Sequence, residues 1–516
     1  MVDLTFYGGV DEIGGNKILL KSQNGSLFLD FGLSYKQQGL FFEEYLQPRT
    51  NSKFYDLKEL ELLPNLDGIY RKDVLCPEGL DNTCTPTPEY WNSTLKCHKD
   101  ACDENTSHPD AVFISHAHAD HCGYLPYLGN IPVYCSKDSK TLMKAISQIG
   151  NLQGFDGELT EYSKRKIGAL KGGFFPKAPK MDKEDAVDRT YNILLSGTTQ
   201  NIATNLDITG YDVGHSIPGS MCCLIKADNK QILYTGDLRF HGRKQPDLSP
   251  LHGLKPDVMI TEGTRVDDRI PDDENEVEEN LKDMIERTKG LVMIGFAWKD
   301  LERYETVKKA SIDSGRIPVF DARTAYSLAR LGTDIYNDGA SVFLERTYSM
   351  LYSPADYVNK KHCAGPMDLD DWDSKSDPKK CDKTHVEKGV KASELKANPE
   401  KYVLHLPYFR FKNLLDIGKL DDSLYIRAQC EPFNDEMELS EDRMINWLKH
   451  FGINEENNYE PYQIHASGHA SGIELQEFIK KVEPKLVIPV HTMKPKLFYN
   501  DTGDVKYPTL NSSITI

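Results

Sequence analysis

The sequence lacks any long hydrophobic run. No stretch of the 516 residues approaches the ~18 consecutive apolar residues that a membrane-spanning helix needs. The first residues, Met1-Val2-Asp3-Leu4, also lack the basic region and apolar core of a secretory signal peptide. We therefore expect no membrane association and a cytoplasmic location.

Positive charge is scarce. The chain carries 62 Lys and Arg against 79 Asp and Glu, a net charge of −17. An excess of this sign repels a polyanion at long range, so any nucleic-acid site must be local. One segment, Lys164–Lys183, is strongly basic, and we expect it to be a solvated loop rather than a phosphate-binding strip. Its basic residues are Lys164, Arg165, Lys166, Lys171, Lys177, Lys180 and Lys183.

Cysteines are few for the length of the chain. The 11 cysteines are scattered without the density of a secreted disulfide scaffold, so most should be reduced thiols. Four of them, Cys76, Cys84, Cys97 and Cys102, lie in a polar insertion near residues 55–109. Their spacings match no paired C-x-x-C zinc pattern. We expect a plain surface excursion, with a small metal knuckle or a redox-sensitive flap as alternatives.

Short apolar runs of strand length are abundant, and several end in a polar residue. Asp30, His116, Asp237 and Glu262 each follow such a run. A polar residue at the end of a strand lies at the edge of its sheet, where loops can bring such side chains together. From about residue 267 amphipathic helical patterns alternate with strand-like runs, which is typical of an inserted α/β domain.

The most informative stretch is His116-Ala117-His118-Ala119-Asp120-His121. Alternate residues of an extended segment point to one side, so His116 and His118 should face one position, while Asp120 and His121 begin the next turn and face a second. Imidazole and carboxylate are the ligands of hydrolytic zinc, and two such sites ~3.5–4 Å apart can act together. Two further candidates, His215 and Asp237, each follow a glycine that lets the backbone approach a metal closely.

These motifs resemble those of the metallo-β-lactamase fold hydrolases of the β-CASP group, in order, spacing and neighbours. The opening stretch Gly8–Asn16 is similar to the start of ribonuclease J, a member of that group. Seven sites carry the resemblance: Asp30, His116 to His121, His215 and Asp237 match the first four motifs of the superfamily, and Glu262, His469 and His491 match motifs A, B and C of the β-CASP group.

The resemblance implies a fold and a domain organisation. The fold is an α/β one, a metallo-β-lactamase αββα sandwich interrupted by a β-CASP α/β domain. Residues 1–266 would form the first part of the sandwich, with the cysteine-containing insertion near 55–109. Residues 267–447 would form the β-CASP domain, and residues 448–516 would return to the sandwich with motifs B and C.

The resemblance also implies a role for each site residue. One zinc would be held by His116, His118, His215 and Asp237, and the other by Asp120, His121, Asp237 and His491, with Asp237 bridging and Mn²⁺ as a substitute. Asp120 would orient the attacking water, and His469, paired with Glu262, would protonate the leaving oxygen. Asp30 would orient a histidine ligand rather than bind metal. His465, Ser467 and Gly468 would cradle a 5′-phosphate.

The implied activity is two-zinc hydrolysis of single-stranded RNA, by a 5′-to-3′ exoribonuclease of the ribonuclease J type with endonuclease activity left open. His491 stands where the DNA-directed branch usually has valine, which favours RNA. One departure is His491-Thr492-Met493, where the family commonly has His-Gly-Glu. The alternatives are a polyadenylation-cleavage-type endoribonuclease, a DNA nuclease, a small-ester metallohydrolase and a noncatalytic RNA-binding subunit. A homo-oligomer is compatible with the sequence.

Overall fold

The computed structural model describes residues 1–43, 45–50, 52–77, 94–149, 157–168, 177–270, 272–346, 388–430, 435–501 and 503–516. Among these residues, no helix combines the length and the apolar character needed to cross a membrane. Cys84 and Lys171, which the sequence analysis singles out, lie outside the described residues.

The first part of the chain is rich in strands. Its strands are β1 (Asp3–Gly8), β2 (Lys17–Lys21), β3 (Ser26–Leu29), β4 (Ala111–Phe113), β5 (Val133–Cys135), β6 (Glu161–Gly168), β7 (Lys177–Asp188), β8 (Tyr191–Ile193), β9 (Thr199–Ala203), β10 (Leu206–Asp212), β11 (Met221–Ala227), β12 (Lys230–Tyr234) and β13 (Val258–Thr261). Its helices are α1 (Tyr35–Gly39), α2 (Lys53–Glu59), α3 (Lys72–Leu75), α4 (His98–Asp103), α5 (Ala119–Cys122) and α6 (Lys137–Ile149).

Helices and strands alternate in the next part of the chain, as the sequence predicts. The helices are α7 (Glu274–Arg287), α8 (Leu301–Asp313), α9 (Ala322–Arg330), α10 (Ala392–Ala397), α11 (Leu414–Ile417) and α12 (Asp435–Phe451). The strands are β14 (Val292–Gly295), β15 (Ile317–Phe320), β16 (Ser341–Leu344), β17 (Val390–Lys391), β18 (Tyr402–His405), β19 (Leu424–Arg427) and β20 (Tyr462–Gln463). The chain ends with α13 (Gly472–Val482), β21 (Leu486–Pro489), β22 (Asp504–Val505) and β23 (Ser512–Thr515).

Two mixed sheets pack face to face. Their strand orders are β23-β1-β2-β3-β4-β5-β8 and β22-β21-β13-β12-β11-β10-β9. The facing sides share one apolar core, which includes Leu4, Phe113, Ile225 and Ile260. Helix α6 packs on the outer face of the first sheet, and α13 packs on the outer face of the second. The predicted αββα sandwich is therefore confirmed.

The inserted part forms a third sheet in which every described pair of strands is parallel, with the order β17-β16-β15-β18-β14-β19-β20. Apolar cores lie on both of its faces, as expected for a parallel sheet covered by crossover helices. The last strand, β20, pairs with β19 beyond residue 447, so the chain leaves this sheet later than the predicted boundary. Strand β20 then leads directly to His465.

The cysteine-containing insertion is not the plain surface excursion that the sequence predicts. Leu57, Ile69, Tyr70 and Cys97 are all buried in the core on the outer face of the first sheet. The Tyr70 hydroxyl donates a hydrogen bond of 2.5 Å to the Pro64 carbonyl. The described part of the insertion is thus an integral layer of the sandwich. In the described residues, none of the side-chain groups able to hold a metal includes a cysteine.

The basic segment also differs from the expected loop. Where it is described, it forms the antiparallel ribbon β6–β7. Arg71 anchors the ribbon, because its guanidinium donates to the Ser163 carbonyl at 3.0 Å and stacks 3.9 Å from the centre of the Tyr162 ring. Glu158 balances the buried charge of Arg71 at 2.5 Å.

Arg303 ties the inserted domain to the loop that carries motif B. Its guanidinium is buried and pairs with both oxygens of Glu274 at 3.0 Å. It also donates to the carbonyls of Ala428 and Ala466, at 2.9 and 3.2 Å.

Arg303→Met should lower the free energy of unfolding by about 3–5 kcal/mol, because Glu274 would be left buried without its cation. Urea unfolding monitored by circular dichroism measures this loss. The matched control, Arg287→Met, removes an exposed pair with Asp283 and should cost less than about 1 kcal/mol. Equal losses in the two variants would contradict the proposed anchor.

Candidate metal centre

The predicted site residues gather at one edge of the two facing sheets. Asp30 follows β3, His116 lies just beyond β4, Asp237 follows β12, Glu262 follows β13 and His491 follows β21. Because β3 and β4 run parallel, as do β12, β13 and β21, their carboxyl ends deliver these side chains to the same edge.

Two groups of four candidate ligands share one aspartate, and a smaller third group joins the same aspartate to Glu262 and His469. The first comprises His116, His118, His215 and Asp237, and the second comprises Asp120, His121, Asp237 and His491; within each group the donor atoms lie within 4.8 Å of one another. In the first group, Nδ1 of His118 lies 3.0 Å from Nε2 of His116 and 3.1 Å from Nε2 of His215. In the second, Nε2 of His491 lies 3.3 Å from Oδ2 of Asp120.

The chemistry of these groups fits divalent metal ions. Burial lowers the pKa of His116 and His118 well below the ordinary value and that of His215 to about 4, so all three imidazoles are neutral, the form that binds metal. Asp237 Oδ1 is buried without a hydrogen-bond partner. Such an unsatisfied carboxylate oxygen is costly unless a cation lies beside it.

Asp30 orients the His121 ring of the second ligand group without belonging to that group. It is fully buried and accepts hydrogen bonds from the Ser115 amide at 2.7 Å, the Ser115 hydroxyl at 2.8 Å and the Tyr234 hydroxyl at 2.6 Å. Its Oδ2 also lies 2.7 Å from Nδ1 of His121, which directs Nε2 of that ring toward Asp237. Sequence reasoning missed Ser115 and Tyr234, although each directly adjoins a motif.

The glycine-rich opening stretch packs directly on Asp120. A side chain at Gly14, whose φ is +79°, would lie 2.5 Å from Oδ2 of Asp120, and one at Gly32 would lie 1.6 Å from the Asp120 carbonyl. The amide of Asn16 donates to that same carbonyl at 3.1 Å. The buried carboxylate of Glu12 fixes the opening stretch, because it accepts hydrogen bonds from the Gly9 amide at 2.9 Å and from the Ser34 hydroxyl.

His469 and Glu262 form a pair beside both groups. Nδ1 of His469 lies 3.0 Å from Oε2 of the buried Glu262. The ring centre of His469 is 5.1 Å from that of His215 and 5.6 Å from that of His491. Burial alone would lower the pKa of His469, but Glu262, followed by Asp237, raises it to about 9 in the metal-free chain.

The loop before His469 is held by hydrogen bonds that the sequence does not predict. The Ser467 amide donates to Asp272 at 2.7 Å, and the Ser467 carbonyl lies 2.8 Å from Nε2 of His241 and accepts from Arg239 at 3.2 Å. The Gly468 carbonyl lies 2.5 Å from Nδ1 of His215. Sequence reasoning missed Asp272 and His241, which match none of the motifs.

These contacts reduce the number of groups that could bind a phosphate in the loop of His465, Ser467 and Gly468. The Ser467 amide and the Gly468 carbonyl are already engaged within the protein, and burial, followed by the charge of Arg303, lowers the pKa of His465 to about 3. His465 is therefore neutral. The Ser467 hydroxyl and the Gly468 amide are among the donors that remain in the described loop.

Comparison with known proteins supports the motif assignment. The family model described as "Zn-dependent metallo-hydrolase RNA specificity domain" matches residues 458–497, a range that contains both His469 and His491. The resemblance to β-CASP metallo-β-lactamase proteins is thereby confirmed.

Three curated relatives share parts of the chain. The transcription termination factor FttA of Methanococcus maripaludis is 27% identical over 35% of this chain and 27% of its own length. Integrator complex subunit 11 of Danio rerio is 28% identical over 30% of this chain and 24% of its own length. Ribonuclease J 2 of Streptococcus pyogenes is 24% identical over 64% of this chain and 47% of its own length. The chain thus spans about a quarter to a half of these relatives.

A solved structure extends the similarity to the whole fold. A crystal structure of a protein of unknown function from Enterococcus faecalis V583 superposes with a TM-score of 0.67, 20% identity and full coverage of both chains. At this identity the match concerns the fold alone.

Proposed function

We propose that this protein is a two-zinc hydrolase that cleaves phosphodiester bonds of single-stranded RNA. One observation carries the proposal: two groups of imidazole and carboxylate metal ligands share Asp237, and the His469–Glu262 pair lies directly beside them. Bound divalent ions at such a pair of sites lower the pKa of water and neutralise phosphate oxygens.

The residues of the chain supply the remaining chemistry. Asp120 lies between the opening stretch and His491, where its carboxylate can orient an attacking water. His469 is protonated through its contact with Glu262 and can donate its proton to the leaving oxygen. Asp30 keeps His121 in one orientation, so that the site is organised before substrate binds.

RNA is the favoured substrate for two reasons. The matching family model is described as an RNA specificity domain, and one of the relatives is named a ribonuclease. The ligand groups also lie beside an inserted parallel sheet, and a whole domain at the metal edge suits a polymer better than a small ester.

The finer question is whether cleavage starts from a 5′ end. The resemblance to ribonuclease J favours a 5′-to-3′ exoribonuclease, in which the Ser467 hydroxyl and the Gly468 amide bind the terminal phosphate. The contact between Asp272 and the Ser467 amide favours an endoribonuclease instead, because this amide is then not free to donate to a terminal phosphate.

A comparison of RNA ends separates these two functions. An exoribonuclease should release mononucleotides from 5′-monophosphate RNA, act more slowly on 5′-triphosphate RNA and leave circular RNA intact. An endoribonuclease should cut circular RNA as fast as linear RNA. The readout is the product ladder from labelled RNA after incubation with zinc-loaded protein, and DNA of the same sequence tests the DNA alternative. Ser467→Ala should reduce the preference for monophosphate over hydroxyl ends by about 1–3 kcal/mol in the exonuclease case.

A further inference from the structure

Lys299 is a cation of the inserted domain that lies beside the metal centre. It follows β14 in a sheet whose strands β15, β18 and β14 are parallel neighbours, so the loops after these strands meet at one edge. Ligands of parallel α/β sheets bind outside this edge. In the described part of the chain, Nζ of Lys299 makes no hydrogen bond and no ion pair, and the nearest aromatic ring, that of Trp298, is 6.0 Å away.

The turn that carries Lys299 is anchored on both sides. Trp298 is buried in an apolar core that also contains Ala119 and Cys122 of helix α5. The Asp300 amide donates to the Ala297 carbonyl at 2.8 Å, and the Asp300 carboxylate caps helix α8. In the first turn of α8, Arg303 donates to the Ala466 carbonyl in the loop that carries motif B.

Burial lowers the pKa of Lys299, and the nearby Cys122 and Asp120 oppose that shift. Both of these residues belong to helix α5, so the Lys299 side chain lies on the side of the inserted domain that faces this helix.

Other cations at this edge already have acidic partners. Arg323 pairs with Asp321 at 2.9 Å, and Arg410 contacts Asp321 at 3.3 Å and Glu345 at 3.0 Å. These guanidinium groups are neutralised within the protein. Lys299 therefore supplies unbalanced positive charge on the face that the inserted domain turns toward the centre.

We infer that Lys299 binds a backbone phosphate of the polynucleotide next to the bond that is cleaved. The inference rests on the proposed function and adds a contact from the inserted domain. A lysine ammonium is a compact point charge without the planar donor pair that recognises a base edge or a bidentate partner. Lys299 should therefore contribute affinity and position without sequence preference.

The test is RNA binding by the zinc-loaded full chain carrying His469→Ala, which slows cleavage during the measurement. In this background, Lys299→Met should weaken binding of labelled single-stranded RNA about three- to ten-fold, to a similar extent for several sequences, and should reduce the salt dependence of log K by about 0.7. Lys299→Arg should retain most of the affinity. The matched control is Lys226→Met, which removes an exposed cation from β11 and should change neither quantity.

Each outcome decides the inference. Binding by Lys299→Met that equals the control would overturn it, as would a loss confined to one RNA sequence, since that would indicate base recognition. Unchanged zinc content and melting temperature in Lys299→Met exclude a folding defect, and the arginine variant gives an independent reading. If the parent protein binds RNA and only the Lys299 prediction fails, the proposed function stands. If the parent neither binds nor cleaves RNA, both fall.

Discussion

Asp237→Ala should remove both metal ions and reduce RNA hydrolysis by more than about 10³-fold. Asp237 belongs to both ligand groups, and its Oδ2 lies 3.6 Å from Nε2 of His116, 3.1 Å from that of His121 and 3.6 Å from that of His491. Loss of this carboxylate leaves each group with an incomplete set of ligands. Elemental analysis of purified protein, with about two metal ions per chain expected in the parent, measures the first effect, and a labelled-RNA assay measures the second.

A matched control is Asp207→Ala. Asp207 lies on β10 of the same sheet as Asp237 and accepts an exposed hydrogen bond from Asn201, so its removal should leave metal content and turnover unchanged. Normal turnover in Asp237→Ala, or full activity with a single tightly bound metal ion in the parent protein, would show that the two-metal assignment is wrong.

His469→Ala should lower the catalytic rate by about 10²–10⁴-fold while metal content stays intact, because the proposed role of His469 is that of a proton donor rather than a ligand. His491→Ala should instead lose one metal ion, since His491 belongs to the second ligand group. Equal metal loss in the two variants would mean that ligand and acid have been confused. His252→Ala, on an exposed turn, is the control that should change neither property.

Glu262→Gln provides a second measurement of the same role. Glu262 is the main charge that raises the pKa of His469, so its removal should lower that pKa. His469 is active in the protonated form, and the alkaline limb of the pH–rate profile should therefore move to lower pH in Glu262→Gln. An alkaline limb that does not move would separate Glu262 from the proton donor.

The sequence, through its resemblance to the β-CASP group, was sufficient to predict the sandwich and the inserted α/β domain and to name the candidate ligands. The reason is that the ligands lie in short motifs at strand ends, where local pattern and position in the sheet coincide. His116, His118, Asp120 and His121 are close in sequence, and the structure brings them together with His215, Asp237 and His491. The neighbourhood of His491 and Glu262 likewise follows once β13 and β21 are placed side by side.

Features that depend on contacts between segments distant in sequence are seen only in the tertiary structure. The cysteine-containing insertion is polar enough to resemble a loop, yet Leu57 and Tyr70 are buried because the outer face of the first sheet must be covered. Asp272 and His241 hold the Ser467 loop from positions more than 190 residues away in sequence, and no motif marks them. Lys299 is an ordinary surface residue in the sequence. Its place near Asp120 is seen only in the tertiary structure, where Trp298 joins the apolar core that contains residues of α5, because this placement depends on how two domains meet and not on local pattern.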